Sequence, residues 1–338
     1  MPQFSIFILN WNGRDLMGGC LRSLDAQTFR DFEVVVVDNG SEDGSAQYIA
    51  ENFPQVRLLA LPTNTGFCGG NNRALEISSG DLILLFNNDA ELHPEFLSEL
   101  SAAAGAYPAA GMFAANIRMF DRRNVFDSTG LLVYPDGLCR SRGWLEEDSG
   151  QYDLSDEVLC PNGCAAVYRR SMIEDVGFFD DAYFAYLEDL DLGLRGQLRG
   201  WTCRYVPGAI AYHKKSMTSG YHSAFKAHLV ERNRIWNAVR LLPLRLLVLS
   251  PLWTLMRYLM QGYAAASGQG MSSQFRRDYS LGEMVGIMAR SYRDAFARLP
   301  EVWRQRRLIQ GNRKLGALQV YSLLRKYRLP LRELAFKD

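Results

Sequence analysis

The chain has 338 residues, too many for one small domain, and its 48% hydrophobic and 22% charged content is that of a globular protein with a full core. The net charge of +1 conceals a division: residues 1–206 carry 15 Lys/Arg against 30 Asp/Glu, and residues 207–338 carry 23 against 7. A half so basic faces something acidic, either a membrane surface or a nucleic acid.

Phe4–Leu9 is too short an apolar run for a secretory signal and reads as a strand. Reduced thiols are then expected for the six cysteines, and Cys160 and Cys164 lack the second pair or histidine that a zinc set needs. Further buried strands are predicted at Glu33–Val37, Val56–Ala60 and Asp81–Phe86, with helices at Asp15–Ala26, Asp43–Asn52 and Gly69–Ser78 between them. This alternation predicts right-handed crossovers and a parallel sheet, with ligands beyond the carboxyl ends of the strands.

Those ends are polar in all four cases. Strand one runs into Asn10-Trp11-Asn12-Gly13, strand two into Asp38-Asn39-Gly40-Ser41, and strand three leads to Asn64-Thr65-Gly66-Phe67-Cys68-Gly69-Gly70-Asn71-Asn72. Strand four ends in Asn87-Asn88-Asp89. Four such ends define one crevice, so Asn10, Trp11, Asn12, Asp38, Asn39, Gly66, Gly69, Asn71, Asn72 and Asn88 are candidate donor-binding residues.

From about Gly111 to Tyr212 the pattern is irregular, with a helix near Leu187–Leu198, and reads as the second half of the same domain. The predicted division is a catalytic domain over 1–224, with a donor-binding half to about 110 and an acceptor-binding half to 224, followed by a helical basic extension over 225–338. Within the extension, Leu241–Met260 is strongly apolar but interrupted by Pro243, Arg245, Pro251 and Arg257. Arginine and proline argue against a spanning helix and favour a segment in the membrane interface; a buried pair of core helices is the alternative.

Transfer of a sugar from a nucleotide requires a held nucleoside, a neutralised diphosphate and an acceptor hydroxyl that loses its proton. A Mn²⁺ or Mg²⁺ ion on carboxylate and imidazole ligands supplies the second, and a carboxylate base the third. Asp89 is the leading metal ligand; a helix cap before His93-Pro94-Glu95 is the other reading, and the three neighbouring polar strand ends favour ligation. Glu188-Asp189-Leu190-Asp191 places three carboxylates in four residues, more than the dipole of a helix start calls for. Asp189 is the expected base, Asp191 the second choice, and Glu188 is expected to orient the acceptor. His213 closes an apolar run and precedes Lys214-Lys215; it is a candidate metal ligand and the lysines candidate phosphate partners, against a surface histidine opening a basic face. Asp38 either accepts from a pyrimidine N–H or ribose hydroxyl, or serves the Asp38-Asn39-Gly40 turn.

Taken together, Ile8–Gly13, Val36–Ser45, Asn64–Asn72, Leu84–Glu91, Gly177–Asp180 and Phe184–Leu192 resemble glycosyltransferase family two, in the bacterial rhamnosyltransferase-like branch. The resemblance covers about residues 4–220 and leaves the basic tail unmatched. It implies a GT-A fold, a Rossmann-like mixed α/β sheet, and an inverting single displacement. It implies a nucleobase contact at Asp38, metal binding by Asn87 and Asp89 in place of the DXD motif, another metal ligand at His213, and the base at Asp189. Asn87 departs from the motif, since an amide binds a metal more weakly than a carboxylate. The branch implies dTDP-rhamnose as donor, with galactofuranose or hexosamine donors in cousins, and surface polysaccharide or a lipid-linked glycan as acceptor.

A nucleotidyltransferase would need a basic glycine-rich loop after strand one, and a dehydrogenase a G-x-G-x-x-G there; Asn10-Trp11-Asn12 supplies neither. A catalytically dead sugar- or membrane-binding relative is left open by Asn87. For the tail, anionic lipid fits the arginine-studded apolar segment better than nucleic acid, which predicts a cytoplasmic protein peripheral on the inner membrane face.

Overall fold

The structure, a computed structural model, describes residues 1–214 and 223–337. In chain order its elements begin β1 (Phe4–Asn10), α1 (Arg14–Asp25), β2 (Phe32–Asn39), α2 (Ser45–Asn52), β3 (Arg57–Leu61), α3 (Gly66–Ile77) and β4 (Leu82–Asn87). They continue with β5 (Ala90–Leu92), α4 (Phe96–Ala106), β6 (Ala110–Met119), β7 (Phe126–Ser128), β8 (Leu131–Val133), β9 (Cys139–Ser141), β10 (Glu157–Val158) and β11 (Ala165–Arg169). Then come α5 (Arg170–Val176), α6 (Glu188–Leu198), β12 (Thr202–His213), α7 (Ala224–Leu241), α8 (Leu244–Ala266), α9 (Met271–Asp278), α10 (Leu281–Ala297), α11 (Leu299–Asn312), α12 (Ala317–Lys326) and α13 (Leu331–Phe336).

The chain forms two compact units: Met1–Gly130 with Ser141–Ala185 and Trp201–Thr218, and Leu131–Arg140 with Tyr186–Gly200 and Ser219–Asp338. In the first unit β3, β2, β1 and β4 are mutually parallel, as the strand–helix alternation predicts. The sheet extends past β4 through antiparallel β11 to β6, and β12 then lies parallel to β6, giving a mixed sheet. Ile6, Ile8, Val36, Leu84 and Phe86 are buried with Met17 and Leu21 of α1 and Phe96 of α4, so runs apolar on both faces sit at the centre of the sheet. In the glycine-rich stretch α3 starts at Gly66, three residues before the predicted start.

The second unit is helical and joined by buried ions as well as apolar contacts. Arg306 Nη1 on α11 donates to the carbonyls of Val239 and Leu242 (2.6 and 2.7 Å), and Trp236 Nε1 on α7 donates to Ala295 O on α10 (3.2 Å). Asp136, in the turn between β8 and β9, is fully buried, and Arg257 Nε of α8 donates to it at 2.8 Å. That turn closes at Gly137, whose φ is +90° and where a Cβ would stand 2.5 Å from Arg234 O of α7, so glycine alone lets the turn sit on the helix. Glu231 and Arg234 of α7 complete the cluster with Asp136 and Arg257.

Of the apolar segment predicted over 241–260, Leu241 ends α7 and the stretch from Leu244 onward lies in α8, with Pro251 inside that helix. Proline cannot donate to Leu247 O, and Ser250 Oγ donates to that carbonyl instead (2.9 Å). Among the described residues no helix is long and apolar enough to cross a membrane.

Candidate functional site

In the first unit the four predicted strand ends do gather, but several of their side chains bond to each other. Asn10 is fully buried; its Nδ2 donates to Asp38 Oδ1 (3.0 Å) and Ser41 Oγ (3.3 Å), and its Oδ1 accepts from Asn88 Nδ2 (2.9 Å). Asn39 donates to Asn64 Oδ1 and Gly66 O and accepts from the N–H and hydroxyl of Thr65. Asn72 bonds both backbone groups of Phe179 and the Asp181 carboxylate. These amides, predicted to face a donor, also bracket neighbouring strand ends and so fix the shape of the crevice.

Gly66 and Gly69 also work within the protein. Gly66 has φ +76° and a Cβ there would lie 2.4 Å from Phe184 O, while one at Gly69 would meet the Thr65 side chain at 2.8 Å. Asn71 Nδ2 donates to Phe67 O, and its Oδ1 is buried with no hydrogen-bond partner. Asp38 accepts from Asn10 and from Ser41 N–H, one bond on each oxygen, which leaves each oxygen a further lone pair. Trp11, next in the chain to Asn10, is 41% exposed. Asn12 adopts φ +50° and ties the chain to the next loop by accepting from Glu42 N–H.

The centre of this unit's site is made by strand register. β5 begins directly after Asn88-Asp89 and pairs antiparallel with the end of β12, so that Ala90 lies opposite His213. The imidazole is thereby held between two carboxylates: Nε2 is 3.2 Å from Asp89 Oδ1 and Nδ1 is 2.6 Å from Asp127 Oδ2. Burial opposes a charge on His213, but Cys164, Asp127 and Asp89 outweigh it and hold the ring well above the usual histidine range. Burial keeps the Cys164 thiol protonated, so at neutral pH the carboxylates are the charges that act.

Two cis ligands of an octahedral ion with bonds of about 2.1 Å stand about 3 Å apart, and Asp89 Oδ1 with His213 Nε2 meets that spacing. Asp127 faces the other ring nitrogen, the place of a carboxylate that orients a ligating histidine. Among the described residues no three His, Cys, Asp or Glu side chains form a closed cage, so an ion here would complete its shell with substrate oxygens and water. Asn87 ends β4 half-buried, its N–H bonded to Cys164 O at 2.9 Å. Lys214 Nζ is paired with Glu91 at 2.8 Å, and Lys215 lies outside the described residues.

In the second unit the acidic cluster opens α6. Phe184, Tyr186 and Leu187 precede it with φ of +63°, +71° and +66°, a concentration of left-handed non-glycine backbone that needs support from its surroundings. Within the unit that support comes from α7: Asn233 Nδ2 donates to Tyr186 O (2.8 Å) and Asn237 Nδ2 to Leu187 O (3.1 Å). Asp189 is half-buried, its Oδ1 accepting from Leu190 N–H. Glu188 is buried, and burial with the charges of Asp189 and Asp191 raises its carboxyl well above the usual carboxylate range. Its Oε2 has no hydrogen-bond partner.

Asp191, the second choice for the base, is buried between Arg195 Nε (2.8 Å) and Arg240 Nε (3.3 Å), which hold its carboxylate in two ion pairs. Sequence reasoning missed Asp127, Asn233 and Asn237. Two asparagines at i,i+4 inside a helix, where asparagine is disfavoured, were the available signal for the last pair; Asp127 gave none.

Similar proteins place the chain among glycosyltransferases. A Mycobacterium tuberculosis N-acetylglucosaminyl-diphospho-decaprenol L-rhamnosyltransferase is 30% identical over 255 residues, 64% of this chain and 80% of that protein. A Mycobacterium bovis PGL/p-HBAD biosynthesis glycosyltransferase is 28% identical over 200 residues, 57% and 69% of the two chains. Among solved structures, Staphylococcus aureus TarS 1-349 in complex with UDP-GlcNAc superposes with a TM-score of 0.55 at 19% identity, over 96% of this chain and 91% of that one. The Pyrobaculum calidifontis mannosyltransferase PcManGT, in complex with GDP-Man and Mn²⁺, gives 0.52 at 16% over 88% and 86%. The fold is GT-A with a helical C-terminal region. Residues 5–177 match the family described as glycosyl transferase family 2, and the chain belongs to that family of glycosyltransferases.

Proposed function

We propose that this enzyme transfers rhamnose from dTDP-rhamnose, with inversion and with a divalent ion, onto a hydroxyl of a lipid-linked glycan in cell-surface polysaccharide synthesis. The carrying observation is the register that brings Asp89 and His213 within 3.2 Å with Asp127 behind the ring. The donor and acceptor classes follow the relative whose name specifies rhamnosyl transfer to a diphospho-decaprenol-linked sugar.

A Mn²⁺ or Mg²⁺ ion would supply Lewis-acid neutralisation of the leaving diphosphate. Asp89 and His213 would hold it, and Asp127, bonded to the other ring nitrogen, would orient the imidazole. Asp38 accepts from the nucleobase, and Trp11 offers its exposed face to it. Asp189 takes the proton of the acceptor hydroxyl as that oxygen attacks the anomeric carbon and the nucleoside diphosphate leaves. Glu188, whose carboxyl burial and the neighbouring Asp189 and Asp191 push up, orients the acceptor through its unpartnered oxygen. The enzyme works in the cytoplasm, peripheral to the membrane that carries its acceptor.

Purified protein incubated with a panel of nucleotide sugars, with Mn²⁺ and then with a chelator, tests the reading. Turnover of dTDP-rhamnose that stops on chelation is expected. Turnover of a hexosamine or galactofuranose donor would move the specificity, and no turnover of any donor would indicate a binding protein.

A further inference from the structure

α8 is an amphipathic helix turned outward. Val248, Leu252, Leu255 and Leu259 recur at i, i+4, i+7 and i+11 on one face and are 69, 54, 53 and 66% exposed. The opposite face is polar and buried: Ser250, Thr254 and Arg257 point inward, and Arg257 is 4% exposed among Asp136 and Glu231. A helix on a protein that meets only water shows the reverse pattern. The face therefore has an apolar occupant.

We propose that this face of α8 lies on a lipid bilayer bearing anionic headgroups. Charge selects that occupant. Residues 207–338 hold 23 Lys/Arg against 7 Asp/Glu, so a second copy docking through this same face would bring the same excess and repel, whereas an anionic leaflet attracts it. Arg245 lies exposed near the start of α8, and Arg276 and Arg277 are exposed at the end of α9, which packs on α8. Each basic side chain near such a surface strengthens association about fivefold. At 23 residues α8 is about 35 Å long, and its buried arginine keeps it lying along the interface.

The proposal deepens the membrane reading given above and rests on it only for the place of the acceptor, so it is tested without catalysis. Full-length protein and the variant Leu252→Gln/Leu255→Gln/Leu259→Gln are floated with vesicles of phosphatidylcholine and phosphatidylglycerol in equal parts, and with phosphatidylcholine alone. Wild type is expected to float with the mixed vesicles and to dissociate as salt is raised. Each leucine withdrawn from the bilayer weakens binding about tenfold, so the triple variant is expected to bind about a thousandfold more weakly. Its melting and its donor hydrolysis without vesicles should match wild type. A triple variant that floats like wild type overturns the proposal. So does a wild type that ignores vesicles and forms a dimer the triple variant abolishes, which assigns the face to a second copy. Leu255→Trp gives a direct readout: its added emission should be quenched by brominated lipid, and unquenched emission also overturns the proposal. Flotation as described with no turnover of any donor upholds the docking face and removes the transferase reading alone.

Discussion

Arg257→Met tests whether the buried ions of the second unit act as one balanced group. Asp136, Glu231, Arg234 and Arg257 are each at most 5% exposed, and their formal charges sum to zero. Arg257 contributes a bond to Asp136 at 2.8 Å and bonds to both Glu231 oxygens at 2.9 and 3.1 Å. Without it Arg234 faces two buried carboxylates, and an uncompensated buried charge costs about 3–5 kcal/mol. For a unit of this size that lowers Tm by about 8–16 °C. Adding Glu231→Gln restores neutrality by leaving Asp136 with Arg234, so the double variant should lose less than the sum of the two single variants by about 1–3 kcal/mol. Differential scanning calorimetry of all three chains measures this. An Arg257→Met protein that melts within about 2 °C of wild type, or strictly additive losses, would show that the four groups do not depend on one another.

Acid should act through the same cluster. Arg234 and Arg257 outweigh the burial of Glu231 and hold its carboxyl down at about 2 against an ordinary 4.5. A depressed carboxylate stabilises the fold above its unfolded pKa, so about 3 kcal/mol is present above pH 4.5 and is lost as pH falls towards 2; urea midpoints across that window follow it, and Glu231→Gln should flatten the slope. Asp189→Asn should bind donor as wild type does and lose about 10²–10⁴-fold in kcat; wild-type turnover would remove Asp189 from the base role. Asp127→Asn should weaken Mn²⁺ binding about 10–100-fold, read by titration calorimetry without substrate, and unchanged affinity would make the Asp127–His213 bond merely structural. Asn237→Leu, which leaves Leu187 O without its donor, should lower kcat while donor binding measured by calorimetry stays unchanged.

Much of the first unit was legible because its signals are local. Four apolar runs, one of them Val34-Val35-Val36-Val37, end in polar groups, and each became a strand within two residues of the predicted bounds. The pairing of Asp89 with His213 depends on β5 meeting the far end of β12, a register between segments more than a hundred residues apart that no local pattern carries. Asparagine was the least legible residue type. An amide that brackets two loops and one that faces a ligand read alike in sequence, and the bonds that Asn10, Asn39, Asn72 and Asn88 make to neighbouring strand ends and loops had no local mark. Asp127, in a short strand without an apolar run, had nothing to mark it until the imidazole was seen beside it.

The segment 241–260 shows a second limit of the same sort. Its period is helical whichever side faces in, and the arginine among its leucines reads equally as an interruption of an apolar surface or as an inward anchor. The choice is made by charges elsewhere in the chain: Asp136 in a hairpin turn and Glu231 on α7 give the guanidinium of Arg257 a place to be buried. Once that side chain is fixed inward, the 100° step of the helix sends Val248, Leu252, Leu255 and Leu259 outward. The exposed apolar face is thus a geometric consequence of the buried ion cluster, and a change that released Arg257 would let α8 rotate its leucines away from the surface. Arg257→Met should therefore weaken vesicle binding as well as stability, even though Arg257 itself would touch no lipid.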